Sequence, residues 1–394
     1  MNPREIRPGI NSVGAQDWDR RLFDALIPIP YGTSYNSYLI TGSEKTALID
    51  TVDPPMRDGL LGNLDRMGTD SIDYIIANHA EQDHSGAIPD VLGKYPRAKV
   101  VCTPRCKGML IDLLRISEDK FITVSDGETI SLGNRTLEFI YAPWVHWPET
   151  MLTYLREDKI LFPADFFGAH MATHDIYATD EEKVTRVAKT YYAEIMMPYR
   201  TQIEKNLEKI KGYPIDIIAP SHGPAYDKPE SILKAYHSWV FDEPGNIVVI
   251  PYISMHGSTA RMVEYLADAL LEKGVRVKQF NLAIPELGEL ALALVDAATI
   301  VIGTPTVLAG PHPNAVYAAY LANALRPKLK FASIIGSFGW GGRTVDILAG
   351  IISNLKVELL DPVLCKGVPK EADLIALDNL AAAIAGKHKE YKLA

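Results

Sequence analysis

The chain has 394 residues, which is too long for one ordinary hydrophobic core, so we expect two domains. Its hydrophobic content of 47% and charged content of 23% are typical of a globular protein, and no apolar run reaches the roughly 18 residues that a membrane span requires. The net charge of −9 argues against nucleic acid as a partner, and an N-terminus without an apolar signal region leads us to expect a cytoplasmic protein.

Charge and histidine are distributed unevenly along the chain. Residues 1–244 carry 36 acidic and 26 basic side chains, whereas the chain from Gly245 onward carries 13 acidic and 14 basic ones. Seven of the ten histidines also lie in the first part. The three cysteines contain no C-x-x-C pair, which excludes a disulfide scaffold, a zinc ribbon and a rubredoxin-type iron site within the chain. The two parts therefore differ in their chemistry.

The first part alternates short apolar runs with turns. Helical patterns cover 105–115 and 179–210. Strand patterns that come in clusters, with helices between them, favour a sandwich of sheets covered by helices. The candidate strands are 37–40, 46–52, 74–78, 99–103, 137–142, 151–157, 159–164 and 215–220.

Ionisable side chains follow several of these strands directly. The segment NHAEQDHSG (78–86) comes after a buried strand and contains four possible metal ligands within six residues. Each residue alone has an ordinary explanation as a cap, a turn or a core histidine, but their recurrence at successive strand ends predicts a binuclear metal site. Carboxylate oxygens among the ligands favour iron over zinc. The candidate ligands are His79, Glu81, Asp83, His84, His146, Asp165 and His222.

A domain boundary is predicted near FDEPGN (241–246), where turn-forming residues cluster. After it, five strands alternate with helices, which is typical of a doubly wound parallel sheet. The predicted strands are 246–253, 275–282, 298–305, 330–337 and 356–360, and the predicted helices are 259–273, 286–295, 314–325, 343–355 and 371–386.

Three loops at the carboxyl ends of these strands predict a flavin site. SMHGST (254–259) joins a strand to a helix and offers hydroxyls, a glycine turn and helix amides to a phosphate. It has neither the lysine of a nucleoside triphosphate loop nor a G-x-G-x-x-G pattern, so FMN is favoured over a triphosphate or a dinucleotide. The candidate FMN-binding residues are Ser254, Met255, His256, Gly257, Ser258, Thr259, Thr304, Pro305, Thr306, Val307, Leu308, Ser337, Phe338, Gly339, Trp340, Gly341 and Gly342.

Both parts resemble known families. Residues 246–394 resemble flavodoxins, and the order of ligands in residues 1–245 resembles the metallo-β-lactamase fold, whose usual H-x-H-x-D-H signature has Glu81 at its second histidine here. Together they closely resemble the flavodiiron proteins, or A-type flavoproteins. The resemblance implies a metallo-β-lactamase-like αββα sandwich (1–245) followed by a flavodoxin-like doubly wound sheet (246–394).

The resemblance also implies roles for the candidate residues. One iron would be held by His79, Glu81 and His146, the other by Asp83 and His222, with Asp165 as the bridge. The role of His84 stays open, since it binds the second iron in some members and not in others. His170 and either Tyr191 or Tyr192 are candidate proton donors, and core packing is the alternative for each.

The implied reaction is reduction of O2 to water, of NO to N2O, or of both, at a non-haem diiron centre supplied by FMN. The family arrangement implies a head-to-tail homodimer, with a tetramer left open, and a separate electron donor such as a rubredoxin or a reduced deazaflavin. Asp24 and His256 stand where many members carry histidine and tryptophan, so the preferred gas and the donor stay open. The alternatives are a binuclear zinc hydrolase fused to a flavodoxin domain and a pure electron carrier.

Overall fold

The structure is a computed structural model, and it describes residues 2–284 and 287–393. The chain folds into two compact units. The first contains the described residues up to Tyr192 together with Tyr199–Val240, and the second contains Ala193–Pro198 together with the described residues from Phe241 onward. The division of the chain into residues 1–245 and 246–394 stays a prediction. Within the described ranges, every helix is too short or too polar to cross a bilayer.

The first unit contains a seven-stranded sheet whose centre is parallel. Thr46–Ile49 pairs in parallel with Tyr74–Ile76, which pairs in parallel with Lys99–Cys102. These strands are rich in β-branched and aromatic residues, which favour a pleated, buried surface. The carboxyl ends of the parallel strands therefore meet at one edge. In spatial order the strands are Arg4–Arg7, Ile10–Ser12, Tyr38–Thr41, Thr46–Ile49, Tyr74–Ile76, Lys99–Cys102 and Phe121–Thr123.

A second, five-stranded sheet packs on the first. Ile40, Ile49 and Val101 of the first sheet share one buried cluster with Phe139 and Phe162 of the second. The opposite face of the first sheet is covered by helices that contribute a separate core. The strands of the second sheet are, in spatial order, Thr129–Ser131, Thr136–Tyr141, Met151–Leu155, Ile160–Phe162 and Ile217–Ile218. Two further strand pairs are Ala15–Asp17 with Thr33–Tyr35 and Leu22–Phe23 with Ile27–Pro28.

The long helix predicted over 179–210 is wrong, because the structure interrupts it. Glu181–Tyr191 is α-helical, Tyr192–Met196 forms a π-helical turn, Met197–Tyr199 is a 3-10 turn, and Arg200–Ile210 resumes the α-helix. Pro198 explains the break, since proline lacks an amide proton and clashes with the carbonyl one turn earlier. The remaining helices of the first unit are Pro54–Met56 (3-10), Arg57–Arg66, Gln82–Ser85, Ile88–Lys94, Pro104–Leu114, Glu118–Lys120 (3-10) and Pro229–Phe241.

The second unit is built on a parallel sheet with helices on both faces. Its strand order is Arg276–Asn281, Gly245–Tyr252, Ala297–Val307 and Phe331–Phe338, and the last of these pairs with both Glu358–Leu359 and Val363–Lys366. A single fifth strand over 356–360 was predicted; instead, two short pieces flank Asp361–Pro362, because proline cannot donate to the ladder.

The helices of the second unit cover two separate cores. Leu294, Ala318 and Leu348 belong to the core on one face, and Leu266 and Leu380 belong to the core on the other. Glu286 of the predicted helix 286–295 lies outside the described residues. Gly310–Pro311 forms a small hairpin with the end of the third strand. The helices are Ser258–Glu272, Leu287–Leu294, Pro313–Leu325, Thr344–Ile351, Ser353–Leu355 (3-10) and Glu371–Glu390.

Candidate functional site

The seven predicted ligands lie on loops that follow strands. His79 comes three residues after Tyr74–Ile76, and Glu81 caps the amino end of the short helix Gln82–Ser85, which carries Asp83 and His84. The backbone carbonyl of His84 accepts hydrogen bonds from the amide and hydroxyl of Thr51, at 2.7 and 2.6 Å. His146, Asp165 and His222 follow strands Thr136–Tyr141, Ile160–Phe162 and Ile217–Ile218. Strand ends of both sheets thus converge on one place.

The first group of ligand atoms contains His79, Glu81, His146 and Asp165. Nε2 of His79 lies 3.1 Å from Oε2 of Glu81 and 3.5 Å from Oδ2 of Asp165. Nε2 of His146 lies 3.2 Å from the same Glu81 oxygen and 3.0 Å from the same Asp165 oxygen. Two imidazole nitrogens and two carboxylate oxygens therefore face one point, which is a donor set suited to a metal ion.

The second group contains Asp83, His84 and His222, and it shares Asp165 with the first. Oδ2 of Asp83 lies 3.2 Å from Nε2 of His84 and 3.1 Å from Nε2 of His222. The other oxygen of Asp165, Oδ1, lies 2.9 Å from His84 Nε2 and 3.5 Å from His222 Nε2. Asp165 thus turns one oxygen toward each group, the geometry expected of a bridging carboxylate.

Burial and unmet hydrogen-bonding capacity also fit two metal ions. Oδ2 of Asp83, Nε2 of His84 and Oδ1 of Asp165 are buried, and none makes a well-directed hydrogen bond to any residue that the structure describes. Buried polar atoms left unpaired are costly, so atoms that face a common point without bonding each other fit a bound cation. Glu81 and His146 are the most open members, with 16% and 14% of their side chains exposed, so the centre is reached from their side.

Protonation states in the metal-free chain reflect the same convergence. Burial by itself would lower the pKa of His84, but the carboxylates of Asp165 and Asp83 outweigh burial and raise it to about 10. Burial would raise the pKa of Asp165, yet His84 and His146 hold it well below its usual range. Burial would likewise raise the pKa of Glu81, but His146 and His79 outweigh it and lower that pKa. The His84 imidazole thus holds a proton that a bound cation would displace.

The far nitrogens of two histidines are fixed by hydrogen bonds. His79 Nδ1 lies 2.9 Å from Oε1 of Glu149, and His222 Nδ1 lies 2.6 Å from the carbonyl oxygen of Ser34. Both partners are acceptors, so each Nδ1 donates outward and each Nε2 is the nitrogen left to bind a cation at the centre. Glu149 was missed from the sequence, because it stands three residues after His146 in a loop and no strand end or spacing marks it.

Of the predicted proton donors, Tyr191 and His170 lie against the centre and Tyr192 does not. The His170 ring packs 4.7 Å from that of His222 and 4.8 Å from that of Tyr191. Burial raises the pKa of Tyr191 well above its usual range, with Asp165 adding to the effect, so its hydroxyl stays protonated. Burial, reinforced by His222, lowers the pKa of His170 well below its usual range.

Tyr192 packs instead among Tyr236 and Trp239, and its hydroxyl donates to the carbonyl of Trp239 at 3.5 Å. This geometry favours Tyr191 over its neighbour. The Phe23 ring covers His170 at 4.4 Å, and the adjacent Asp24 adopts a left-handed φ of 48°. Burial raises the pKa of Asp24, as does the carboxylate of Glu81.

In the second unit, the three predicted loops meet at the carboxyl edge of the sheet. Gly257 has a φ of 85° and precedes helix Ser258–Glu272, in whose first turn the amide of Ala260 donates to Ser254 Oγ at 3.2 Å. Thr259 Oγ1 lies 3.0 Å from Ser337 Oγ, which links the first loop to the third. Thr306 Oγ1 lies 2.8 Å from Thr344 Oγ1, which links the second loop to the helix after the third. The loops therefore form one surface.

The residues at this edge suit FMN. A cavity of about 310 Å³ lies beside the second and third loops, lined in part by Thr306, Phe338, Gly341 and Gly342. Leu308 and Trp340 are exposed at 87% and 68%, which is unusual for large apolar side chains. The amides of the first helical turn and the hydroxyls of the first loop suit a phosphate, and an exposed indole suits a flavin ring.

Comparison with known proteins agrees with both halves of this description. Residues 33–223 match the family model described as ODP family beta lactamase. The chain is 36% identical to the nitric oxide reductase of Moorella thermoacetica over 98% of both chains. The solved rubredoxin oxygen:oxidoreductase of Desulfovibrio gigas superposes with a TM-score of 0.95 at 30% identity over 100% of both chains.

A flavodiiron protein from Giardia intestinalis superposes with a TM-score of 0.93 at 30% identity, covering 99% of this chain and 98% of that one. These likenesses confirm the predicted fold class, a metallo-β-lactamase-like domain followed by a flavodoxin-like one. Because they extend over nearly the whole chain, the protein belongs to the flavodiiron family of oxidoreductases, the A-type flavoproteins.

Proposed function

We propose that the protein reduces O2 to water, NO to N2O, or both, at a non-haem diiron centre that FMN keeps supplied with electrons. The observation that carries this proposal is the Asp165 carboxylate, which turns one oxygen to each of two histidine–carboxylate groups. The names of the relatives, which record nitric oxide reduction and oxygen reduction, support the same reaction class.

The residues present fit two iron ions. His79, Glu81 and His146 would hold one ion, and Asp83, His84 and His222 the other, with Asp165 between them. The position of His84 Nε2, 2.9 Å from Asp165 and 3.2 Å from Asp83, supports its inclusion as a ligand. Three carboxylates among seven ligands provide hard anionic donors, which favour iron and stabilise its ferric form, whereas a third imidazole at position 81 would favour zinc.

The chain's own groups would bind the gas, exclude water and deliver protons. Substrate would enter beside Glu81 and His146, the most exposed ligands, while Phe23 covers His170. Tyr191 lies beside His222, so we assign its hydroxyl as the proton donor; its raised pKa means that it releases the proton only to a strongly basic group. His170 packs against both the tyrosine and the histidine rings. Iron, when bound, supplies the electron-transfer and gas-binding chemistry.

FMN would lie across the three loops of the second unit. Ser254, Ser258, Thr259 and the amides after Gly257 are proposed to hold the phosphate, because hydroxyls and free helix amides suit a dianion. The ring would lie against the remaining residues of the loops, 304–308 and 337–342, with Trp340 stacked on it. Reduced FMN would supply two electrons and a diferrous pair two more, which is the number that reduction of O2 to two waters requires.

A homodimer and an external electron donor complete the proposal. Electron transfer requires the flavin to lie close to the irons, and the family arrangement provides this between the two copies of a head-to-tail dimer. The exposed Leu22 and Leu26 near the metal centre and the exposed Leu308 and Trp340 at the flavin loops support burial in such an interface. A monomer with full activity on sizing chromatography would contradict the dimer. A rubredoxin is the proposed donor, with a reduced deazaflavin as the alternative.

The test is consumption of O2 and NO by protein loaded with iron and FMN and reduced chemically under anaerobic conditions. We expect consumption of at least one gas, and loss of that activity when zinc replaces iron. If the iron form consumed neither gas while the zinc form hydrolysed an ester or a β-lactam, the protein would be a zinc hydrolase instead. Offering reduced rubredoxin and reduced deazaflavin in parallel identifies the donor.

A further inference from the structure

Glu149 is a buried carboxylate outside the group of proposed ligands. Its side chain is fully buried. One oxygen, Oε1, accepts hydrogen bonds from Nδ1 of His79 and from the amide of Ala80, both at 2.9 Å. The hydroxyl of Thr103 donates to the Glu149 backbone carbonyl at 3.1 Å, which fixes the residue from the other side. A charge buried this completely needs a function or a strong partner, and its strongest partner is a proposed metal ligand.

Among residues 2–284 and 287–393, the other half of the centre has no carboxylate hydrogen-bonded behind its histidines. His222 Nδ1 donates to a neutral carbonyl, that of Ser34, at 2.6 Å, and His84 Nδ1 is buried without a hydrogen-bond partner in those ranges. The buried carboxylate of Asp50 acts on the charge of His84, but its oxygens accept from Asn78. The two half-sites therefore differ in what accepts the Nδ1 proton: a carboxylate behind His79, and a neutral carbonyl or no acceptor behind His222 and His84.

This difference has a direct chemical consequence. A carboxylate that accepts the Nδ1 proton of a ligating histidine orients the ring and makes Nε2 a stronger donor, and loss of such a partner typically weakens metal binding about 10- to 100-fold. Each half-site otherwise holds one carboxylate of its own, Glu81 or Asp83, and shares Asp165. The ligands alone do not distinguish the two half-sites, but among the described residues only the first has a carboxylate, that of Glu149, hydrogen-bonded to a ligand imidazole.

We propose that Glu149 is a positioning residue that makes the two half-sites unequal. The half-site of His79, Glu81 and His146 binds a divalent metal more tightly than that of Asp83, His84 and His222, and it gives iron the lower reduction potential. The inference rests on the proposed metal ligands, but not on the gas that is reduced.

The experiment is a titration of metal-free full-length protein with cobalt(II) against a competing chelator, followed by its absorption spectrum. We expect two equivalents whose dissociation constants differ at least about tenfold. The variant Glu149→Gln keeps an acceptor for His79 and Ala80 but removes the charge. In this variant, the dissociation constant of the tightly bound cobalt ion should rise about 10- to 100-fold, while that of the weakly bound ion changes less than about threefold. Glu149→Asp, which restores the charge, recovers part of the loss.

A second variant and a second readout separate this role from a merely structural one. His222→Gln should abolish the weak equivalent and leave the tight one, which assigns the half-sites even if Glu149→Gln fails to fold. In iron-loaded protein, the two irons should have different one-electron reduction potentials. If Glu149→Gln lowers the affinity of the first half-site for Fe(III) relative to Fe(II) tenfold, the lower of the two potentials rises by about 59 mV.

Two equal equivalents in the wild type, or an unchanged tight equivalent in folded Glu149→Gln, would overturn the inference and leave the proposed function intact. Failure of the wild type to bind cobalt at all would instead count against the metal centre and hence against the proposed function.

Discussion

Replacing Asp165 by asparagine removes the one charge that both halves of the centre share. Asparagine has nearly the same shape, so the side chain still fits, but only one oxygen remains and it is neutral. Four imidazole nitrogens lie within 3.5 Å of the two Asp165 oxygens, two at each oxygen. We expect the variant to fold and to lose at least one of the two irons.

The magnitude follows from these distances. At about 3 Å and an effective dielectric constant of about 20, two unit charges interact by about 5.5 kcal/mol. A carboxylate shared by two ions contributes part of that energy to each. We assume that desolvation offsets half of this interaction energy. Removing the charge then costs about 2.7 kcal/mol of binding free energy, which raises the dissociation constant of iron about 100-fold. Ions held at this level are removed by chelators that do not strip the wild type.

The assay is iron content per chain after anaerobic loading and brief treatment with a chelator. Asp50→Asn is the control, since Asp50 is equally buried and its carboxylate oxygens accept from the amide and side chain of Asn78. The charge of Asp50 acts on His84 and His79 without touching them, so the control separates loss of a nearby charge from loss of a ligand. Asparagine also tolerates the left-handed φ of 52° at that position. The control should retain two irons. Two irons held equally firmly by Asp165→Asn would refute the bridging role.

Three further predictions follow from single residues. Glu81→His supplies a third imidazole, so in loading with equal Fe(II) and Zn(II) the zinc-to-iron ratio should rise at least about tenfold; an unchanged ratio would contradict the selection of iron by oxygen donors. Gly257→Ala places a side chain at φ 85° with open space around it, and this strain of about 1–2 kcal/mol should raise the FMN dissociation constant roughly 5- to 30-fold, whereas Gly350→Ala in a helix should leave it unchanged. His388 is buried, accepts from Thr299 at Nε2 and donates from Nδ1 to Asn246, and burial lowers its pKa to about 4. Because the unfolded chain binds a proton below about pH 6.5 and the folded chain does not until about pH 4, the free energy of unfolding should fall as the pH drops through this window, by up to about 3 kcal/mol before solvent screening reduces it. Denaturant unfolding of FMN-free protein should show this slope in the wild type and a smaller one in His388→Gln, and identical slopes would contradict the neutral, buried imidazole.

The ends of strands were the parts of the metal centre that the sequence could locate. Apolar runs such as 74–78 are readable because burial leaves a composition signal, and the residue after a strand is fixed by covalent geometry. His79, His146, Asp165 and His222 were found in this way, and the structure brings them together.

Features that depend on which way a side chain points in the folded protein could not be predicted from the hydrophobic pattern of the sequence. Tyr191 and Tyr192 are adjacent in a helical segment, so they point about 100° apart, and only the packing decides which one meets His170. Glu149 stands in an irregular loop, where no period shows which way a side chain points.

Two predicted elements were wrong because each of them extended past the effect of a proline. The predicted helix 179–210 overlooked Pro198, and the single strand 356–360 overlooked how Pro362 divides the pairing along Phe331–Phe338. Hydrophobic periodicity extends across such residues although the backbone cannot. The short strands near the N-terminus, such as Thr33–Tyr35, were missed because three-residue strands carry too little pattern to detect.

A single-turnover experiment tests most directly whether the metal centre and the flavin act together. Protein loaded with iron and FMN is fully reduced, freed of excess reductant and mixed with a limiting series of O2 concentrations, while flavin absorbance and hydrogen peroxide are followed. The account predicts that one O2 per chain reoxidises both the irons and the flavin without releasing peroxide, and that Asp165→Asn releases peroxide from the flavin alone. Stoichiometric peroxide from the wild type, equal to that from Asp165→Asn, would contradict it.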